Sequence, residues 1–212
     1  MTTPNPSTGL FIVFEGGDAV GKTTQMRMLV PWLRECGVDP VVTRQPGGTG
    51  LGRKLRKLLL GPDHPELVSR AEALIYAADK AQHVEELIRP ALAEGRVVVC
   101  DRYVDSMIAY QGAGRVLDLA EVEQVACWAT GGLRPDLTVL LDADPADAVA
   151  TIATIRPQDR LEAAGLDFHR RAREHFLRLA SQAPDRYLVL DARESREAIA
   201  QQVAARVGSL IA

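Results

Sequence analysis

The sequence predicts an α/β fold, a doubly wound parallel sheet with helices on both faces. Three observations carry this. Five short apolar runs rich in β-branched residues are spaced along the chain, longer segments of helical periodicity separate them, and a glycine-rich turn joins the first run to the first helix. The runs are Leu10–Glu15 (LFIVFE), Pro40–Thr43 (PVVT), Arg96–Asp101 (RVVVCD), Leu137–Asp142 (LTVLLD) and Tyr187–Asp191 (YLVLD). Their hydrophobicity is continuous rather than alternating, the pattern of strands covered on both faces. Helices are expected over Thr23–Glu35, over Gly52–Leu60 with Leu55, Leu58 and Leu59 on one side, and over Arg70–Glu94, interrupted by Pro90. Four more are expected over Ala120–Thr130, Pro145–Thr154, Asp167–Gln182 and Ser195–Ile211.

A chain of 212 residues can bury a sizeable core within a single domain, expected here over residues 10–212. Residues 1–9, small and polar with Pro4 and Pro6, read as a loose tail without the basic and apolar blocks of a secretion signal. Hydrophobic residues make up 47% and charged residues 25%, an ordinary soluble composition. The net charge of −3, from 25 basic and 28 acidic residues, argues against a nucleic-acid tail or a membrane-seeking surface. Polyanionic substrates would therefore need locally concentrated positive charge. No apolar run escapes interruption by Asp, Glu, Arg or Gly for long enough to cross a bilayer. Cys36, Cys100 and Cys127 have no paired spacing, which fits a reducing compartment, and a cytoplasmic location is expected. Cys100, closing an apolar run, reads as a buried core residue.

The strongest motif is Gly16-Gly17-Asp18-Ala19-Val20-Gly21-Lys22-Thr23, which fits G-x-x-x-x-G-K-[ST] at every fixed position, with a strand leading in and a helix leading out. Glycines let backbone N–H groups turn toward a phosphate, and the helix N-terminus adds partial positive charge. Lys22 can reach β and γ phosphates, and the Thr23 hydroxyl can hold Mg²⁺. Nucleotide binding follows, but not the reaction, because switch GTPases, motor ATPases and small kinases share the loop.

A kinase needs a second pocket for its acceptor. Asp101-Arg102-Tyr103 closes the third apolar run, so Asp101 and Arg102 belong at a strand's carboxyl end, beside the crevice where such sheets bind ligands. A carboxylate there can orient Mg²⁺ or the acceptor oxygen, and an arginine can grip a phosphate with two hydrogen bonds. A helix N-cap followed by a surface arginine fits Asp101-Arg102 equally well. Thr43-Arg44-Gln45-Pro46-Gly47-Gly48-Thr49, after the second run, has the composition of a plain turn. Tyr76 and Lys80, four apart on an expected helix, share a face and offer an aromatic plane with a donor, the needs of a bound pyrimidine. Burial in the core would explain Tyr76 as well. Tyr110 and Gln111, before Gly112 and Gly114, are expected in a loop near the crevice.

Taken together, FEGGDAVGKTTQ, TRQPGGT, AEALIYAADKAQHV, DRYVDSMIAYQGAGR, RPDLTVLLD and DRLEAAGLDFHRR occur in the order and at about the spacing of bacterial thymidylate kinases. The resemblance runs from Phe11 to near Arg193. It implies a P-loop nucleoside-monophosphate-kinase fold with a five-stranded parallel sheet and a mobile lid, ATP with Mg²⁺ as phosphoryl donor, dTMP as acceptor, and a homodimer. It implies that Gly16, Gly17, Asp18, Ala19, Val20, Gly21, Lys22, Thr23 and Thr24 bind ATP, and that Thr23 and Asp101 hold the metal. Asp18 matches a carboxylate near the acceptor sugar, Arg102 the clamp on the acceptor phosphate, and Arg56 an arginine lining the acceptor site. Tyr76 matches an aromatic stacked on thymine, and Lys80 stands where an arginine usually contacts the base. Tyr110 matches an aromatic that disfavours a 2′-hydroxyl, and Gln111 a polar residue near the base.

One branch of the family carries a catalytic arginine in the phosphate loop, where this chain has Ala19. The other supplies it from a lid, here residues 151–163, which contains Arg156 and Arg160. The resemblance is to that lid-arginine branch, and Lys22, Asp101, Arg102, Arg156 and Arg160 are the expected catalytic set. Gln45 replaces the usual Glu, and Lys80 lacks the planar fork of Arg, which leaves room for another nucleotide or nucleoside as acceptor. A slow nucleotide-hydrolysing switch is the rival from a different class. Against it, no N-K-x-D guanine-reading motif is present.

Overall fold

The computed structural model describes residues 9–148 and 159–211. Five parallel strands, β1 (Phe11–Gly16), β2 (Val41–Arg44), β3 (Val98–Asp101), β4 (Leu137–Asp142) and β5 (Tyr187–Asp191), form one sheet in the order β2-β3-β1-β4-β5. Every expected run is a strand, with ends moved by at most two residues. In register, Phe14 lies beside Asp101 on one side and Val139 on the other. β1 is central and buried throughout, while β2 is an edge whose residues alternate between half-buried and exposed. The chain places β2 and β3 on one side of β1 and then crosses over it to β4 and β5 on the other, so a crevice opens at the carboxyl end of β1.

The described helices are α1 (Lys22–Glu35), α2 (Gly50–Leu60), α3 (Ser69–His83), α4 (Arg89–Ala93), α5 (Val104–Met107), α6 (Leu119–Thr130), α7 (Leu166–Gln182) and α8 (Arg196–Ile211). A further helix starts at Pro145 and is described to Ala148. Alternate strand residues feed opposite faces. Ile12 and Phe14 pack with Leu29 and Leu33 of α1 and with Ile199 and Val203 of α8. Phe11 and Val13 pack with Val84, Ile88 and Tyr103, and Cys100 is fully buried among them.

Two local outcomes differ from the periodicity. The segment expected over Arg70–Glu94 is not one helix. Val84–Ile88 winds as a π-turn between α3 and α4, and Pro90 sits in the first turn of α4, where a missing N–H leaves no broken bond. Tyr110 and Gln111 are not in a loop. α5 continues into a π-turn over Ile108–Gly114 that is buried almost throughout. The glycines that suggested a loop serve packing instead: a Cβ on Gly114 would fall on the Phe168 ring of α7, and one on Gly112 on Leu119.

Candidate active site

The chain leaves β1 and turns into α1 through a loop in which Gly16 (φ 128°), Ala19 (φ 56°) and Gly21 (φ 96°) lie in the left-handed region. Glycine adopts it without strain, whereas Ala19 does so at a cost of roughly 1–2 kcal/mol. Lys22 is buried at the start of α1, its ammonium donating to the carbonyls of Gly16 (3.2 Å) and Gly17. Burial, joined by the nearby charge of Arg102, brings its pKa down to about 8. The Thr23 hydroxyl reaches Oδ2 of Asp101 at 3.3 Å, and Oδ1 of Asp101 is buried without a hydrogen-bond partner.

Asp101 caps no helix. The chain reverses through Arg102, whose φ of 67° is unusual for a side-chain-bearing residue, and Tyr103 precedes α5. Glu15 holds this reversal. Its fully buried carboxylate accepts from the amides of Tyr103 (2.7 Å) and Ser106 (3.2 Å) and from the Ser106 hydroxyl (2.5 Å). The Arg102 guanidinium turns back over the loop. It donates to Gly16 O (2.8 Å), Ser106 Oγ (3.0 Å) and Asp18 Oδ1 (2.6 Å), and lies 5.2 Å from the Tyr110 ring centroid. It is no surface arginine. Burial opposes ionisation of Asp18, but the charges of Arg102 and Lys22 outweigh it and hold the carboxyl below its ordinary range.

Seven residues expected at the acceptor, Asp18, Arg56, Tyr76, Lys80, Arg102, Tyr110 and Gln111, line one cavity. Tyr76 and Lys80 do share a face of α3, with the Lys80 ammonium 5.9 Å from the Tyr76 ring centroid. Lys80 donates to Gln45 Oε1 at 3.2 Å, so the two departures from the family pattern touch each other. The Pro-Gly-Gly stretch is more than a plain turn. Asp79 accepts from the Gly47 amide (3.0 Å), His83 Nε2 meets Thr43 Oγ1 (2.7 Å), and Arg56 donates to Pro46 O (3.0 Å). Gly48 is required because a Cβ there would strike the His83 ring.

A larger groove runs along the phosphate loop, lined by residues including Lys22, Thr23, Thr24, Asp101, Ala192 and Arg193. It shares Asp18, Gln45, Arg56, Arg102 and Asp159 with the first cavity, so the two hollows meet at the Asp18–Arg102 pair. Arg156 and the rest of 151–158 lie outside the described residues. The root of the expected lid is fixed by a capping box: Asp159 Oδ1 accepts from the Glu162 amide (3.0 Å), and Glu162 Oε2 from the Asp159 amide (2.9 Å). Arg160 faces away from the phosphate loop, toward Leu59 O (3.0 Å from Nε) and Glu72 (2.5 Å). Sequence reasoning passed over Glu15, Glu72, Ser106 and Arg193. Of these, Glu72 was the most findable, because it lies one turn before Tyr76 on the same helix face.

A family model described as thymidylate kinase matches residues 14–203. A thymidylate kinase of Cutibacterium acnes is 59% identical over 203 residues, 96% of this chain and 98% of that one. A second, of Clavibacter sepedonicus, is 54% identical over 206 residues, 97% of each. The crystal structure of thymidylate kinase from Ehrlichia chaffeensis matches with a TM-score of 0.78 and 31% identity, covering 95% of this chain and 99% of that one. The chain belongs to the thymidylate kinase family and is a nucleoside monophosphate kinase that phosphorylates dTMP to dTDP with ATP.

Proposed function

We propose that ATP lies along the large groove with its phosphates in the loop Gly16–Thr24, that dTMP enters the cavity lined by Tyr76, Lys80 and Gln111, and that transfer occurs where the hollows meet. The observation that carries this reading is the shared lining of Asp18 and Arg102 at that junction. In this arrangement Lys22 and the loop amides hold the donor phosphates. Arg102 holds the acceptor phosphate, Tyr76 stacks on the base, Lys80 and Gln111 face its edge, and Arg56 lines the acceptor side. Tyr110, packed beneath Arg102 and stacked on Phe168 with ring centroids 5.7 Å apart, closes the space a 2′-hydroxyl would need. No covalent intermediate is required: catalysis is positioning plus charge neutralisation, with a lid excluding water.

The residues present fit Mg²⁺. The hydroxyl of Thr23 and the unpartnered Oδ1 of Asp101 are hard oxygen donors at the mouth of the loop, a small protein contribution suited to an ion that keeps water and phosphate ligands. When bound, the ion supplies neutralising charge to the donor phosphates. The chain works as one domain in the cytoplasm, as a homodimer, without nucleic-acid partners. Among the described residues no helix is long and apolar enough to cross a membrane.

Lys22→Ala tests the division of the site. It is expected to reduce transfer to near background while dTMP affinity, measured by calorimetry, stays within a few-fold of wild type. Near-normal turnover of the folded variant would remove the loop from the mechanism.

A further inference from the structure

Glu72 is fully buried on α3, behind the acceptor cavity rather than in it. Three hydrogen bonds converge on its carboxylate, Gln111 Nε2 on Oε1 (2.9 Å), Arg115 Nε on Oε1 (3.2 Å) and Arg115 Nη2 on Oε2 (3.1 Å), and Arg160 Nη2 lies 2.5 Å from Oε2 as an ion pair. Burial, the largest influence, pushes this carboxyl up. Hydrogen bonds from Arg115 and Gln111, with the charges of Arg115 and Arg160, outweigh burial and hold it below the ordinary range. An ionised carboxylate only accepts. Gln111 must therefore turn its NH₂ toward Glu72, and its carbonyl Oε1 is left for the cavity that Gln111 lines. A free glutamine presents either end of its amide, but this one is fixed from behind.

We propose that Glu72 is a positioning residue that locks the Gln111 amide with its oxygen toward the acceptor base and so sets a preference for pyrimidines bearing N3–H. The proposal rests on the reading that places the base in this cavity. A thymine or uracil ring carries a donor at N3 and meets the Gln111 oxygen. A cytosine ring carries an acceptor at N3, which faces that oxygen lone pair to lone pair and leaves a buried polar group unpaired. Sites built around one hydrogen-bond polarity reject the mismatched ligand far more strongly than apolar pockets do. Lys80, on the same cavity wall, presents only donors and suits a 4-oxo rather than a 4-amino substituent.

The test is the ratio of kcat/KM for dTMP to that for dCMP, measured on wild type, Glu72→Gln, Gln111→Leu and the double variant. A glutamine at 72 can donate to Gln111 Oε1, which lets the 111 amide reverse. Glu72→Gln is expected to lower the ratio by about tenfold or more. The preference narrows without inverting, because Lys80 still opposes the 4-amino group. Gln111→Leu is expected to lower it similarly, and the double variant to add little, since both changes remove one device. Loss of the ion pairs with Arg115 and Arg160 alone would lower stability and slow both substrates together, leaving the ratio in place. A ratio that moves in Gln111→Leu but not in Glu72→Gln overturns the role of Glu72. A ratio unmoved in Gln111→Leu overturns instead the placement of the base in this cavity.

Discussion

Ala19 leaves the phosphate loop without a guanidinium of its own, so charge developing on the transferred phosphoryl group has to be met from elsewhere. Arg160 is ill placed to meet it. Its guanidinium pairs with the fully buried Glu72 and donates to Leu59 O, with a side chain only 16% exposed. Moving it to the phosphates would strip one ionic partner from a buried carboxylate that only Arg115 and Gln111 would still hold. Arg160 therefore reads as the brace of the lid's root and Arg156 as the residue that acts in the transition state. Arg156→Ala is expected to lower kcat on the order of a thousandfold while KM for dTMP stays within a few-fold. Arg160→Ala is expected to give a milder, mixed change in kcat and KM with lowered stability. Steady-state kinetics with thermal melts on both variants separates the two roles. A steep kcat loss confined to Arg160→Ala would reverse the assignment, and no loss in either would end the lid-arginine mechanism for this protein. The brace was legible only in outline, because the acidic neighbours visible in sequence, Asp159 and Glu162, bond to each other, and the partner that matters is 88 residues away.

At the scale of elements, the strands were the most legible part. A parallel sheet buries both faces, and short continuous apolar runs such as LFIVFE and LTVLLD, set between turn residues, suit its strands better than any half-exposed element. The helix α2 was readable to within two residues of its start, although its cap, Thr49 Oγ1 accepting from the Gly52 amide, stands in the stretch that reads as a plain turn. The two π-turns were not, because nothing in 3.6-residue periodicity distinguishes a wide turn from a glycine-rich loop. The same packing view bears on the proposed dimer. Arg70 of α3 bridges to Glu121 of α6 at 3.4 Å, which sets two outward stripes side by side. One turn beyond Arg70 stands Leu74, 60% exposed, and two turns beyond Glu121 stands Trp128, 84% exposed. Large apolar groups on adjoining stripes are what a self-complementary interface buries. Trp128→Glu is expected to shift the protein from dimer to monomer in sedimentation velocity at micromolar concentration, with the folded circular dichroism spectrum retained. A monomeric wild type, or a variant that stays dimeric, would place this face outside any dimer.

For the whole molecule, acid stability is set by buried groups pulling in opposite directions. His83 is fully buried against Thr43, and burial, reinforced by the charge of Lys80, lowers its pKa to about 4. His175 is lowered to about 4 as well, by burial and then Arg178. A histidine held neutral in the fold contributes stability that is complete above its unfolded pKa near 6.5 and is lost as pH falls toward 4. Asp105 acts in the other sense. Burial, then the charge of Glu15, pushes it up to about 7, so the folded state takes up a proton before the unfolded chain does and gains stability as pH falls below 7. The sum is a flattened acid limb, which hides each component in a wild-type melt. Substitution separates them. His83→Gln keeps a polar group within reach of Thr43 and removes one titration. Whatever the variant costs at pH 7.5, its stability relative to wild type is expected to improve by about 2 kcal/mol by pH 5, from about 1.5 pH units at about 1.4 kcal/mol each. Urea unfolding of both proteins across that range measures the difference directly. A gap that stays constant with pH would mean that His83 titrates alike in the folded and unfolded states, and that the acid limb is governed by His175 and the carboxyls.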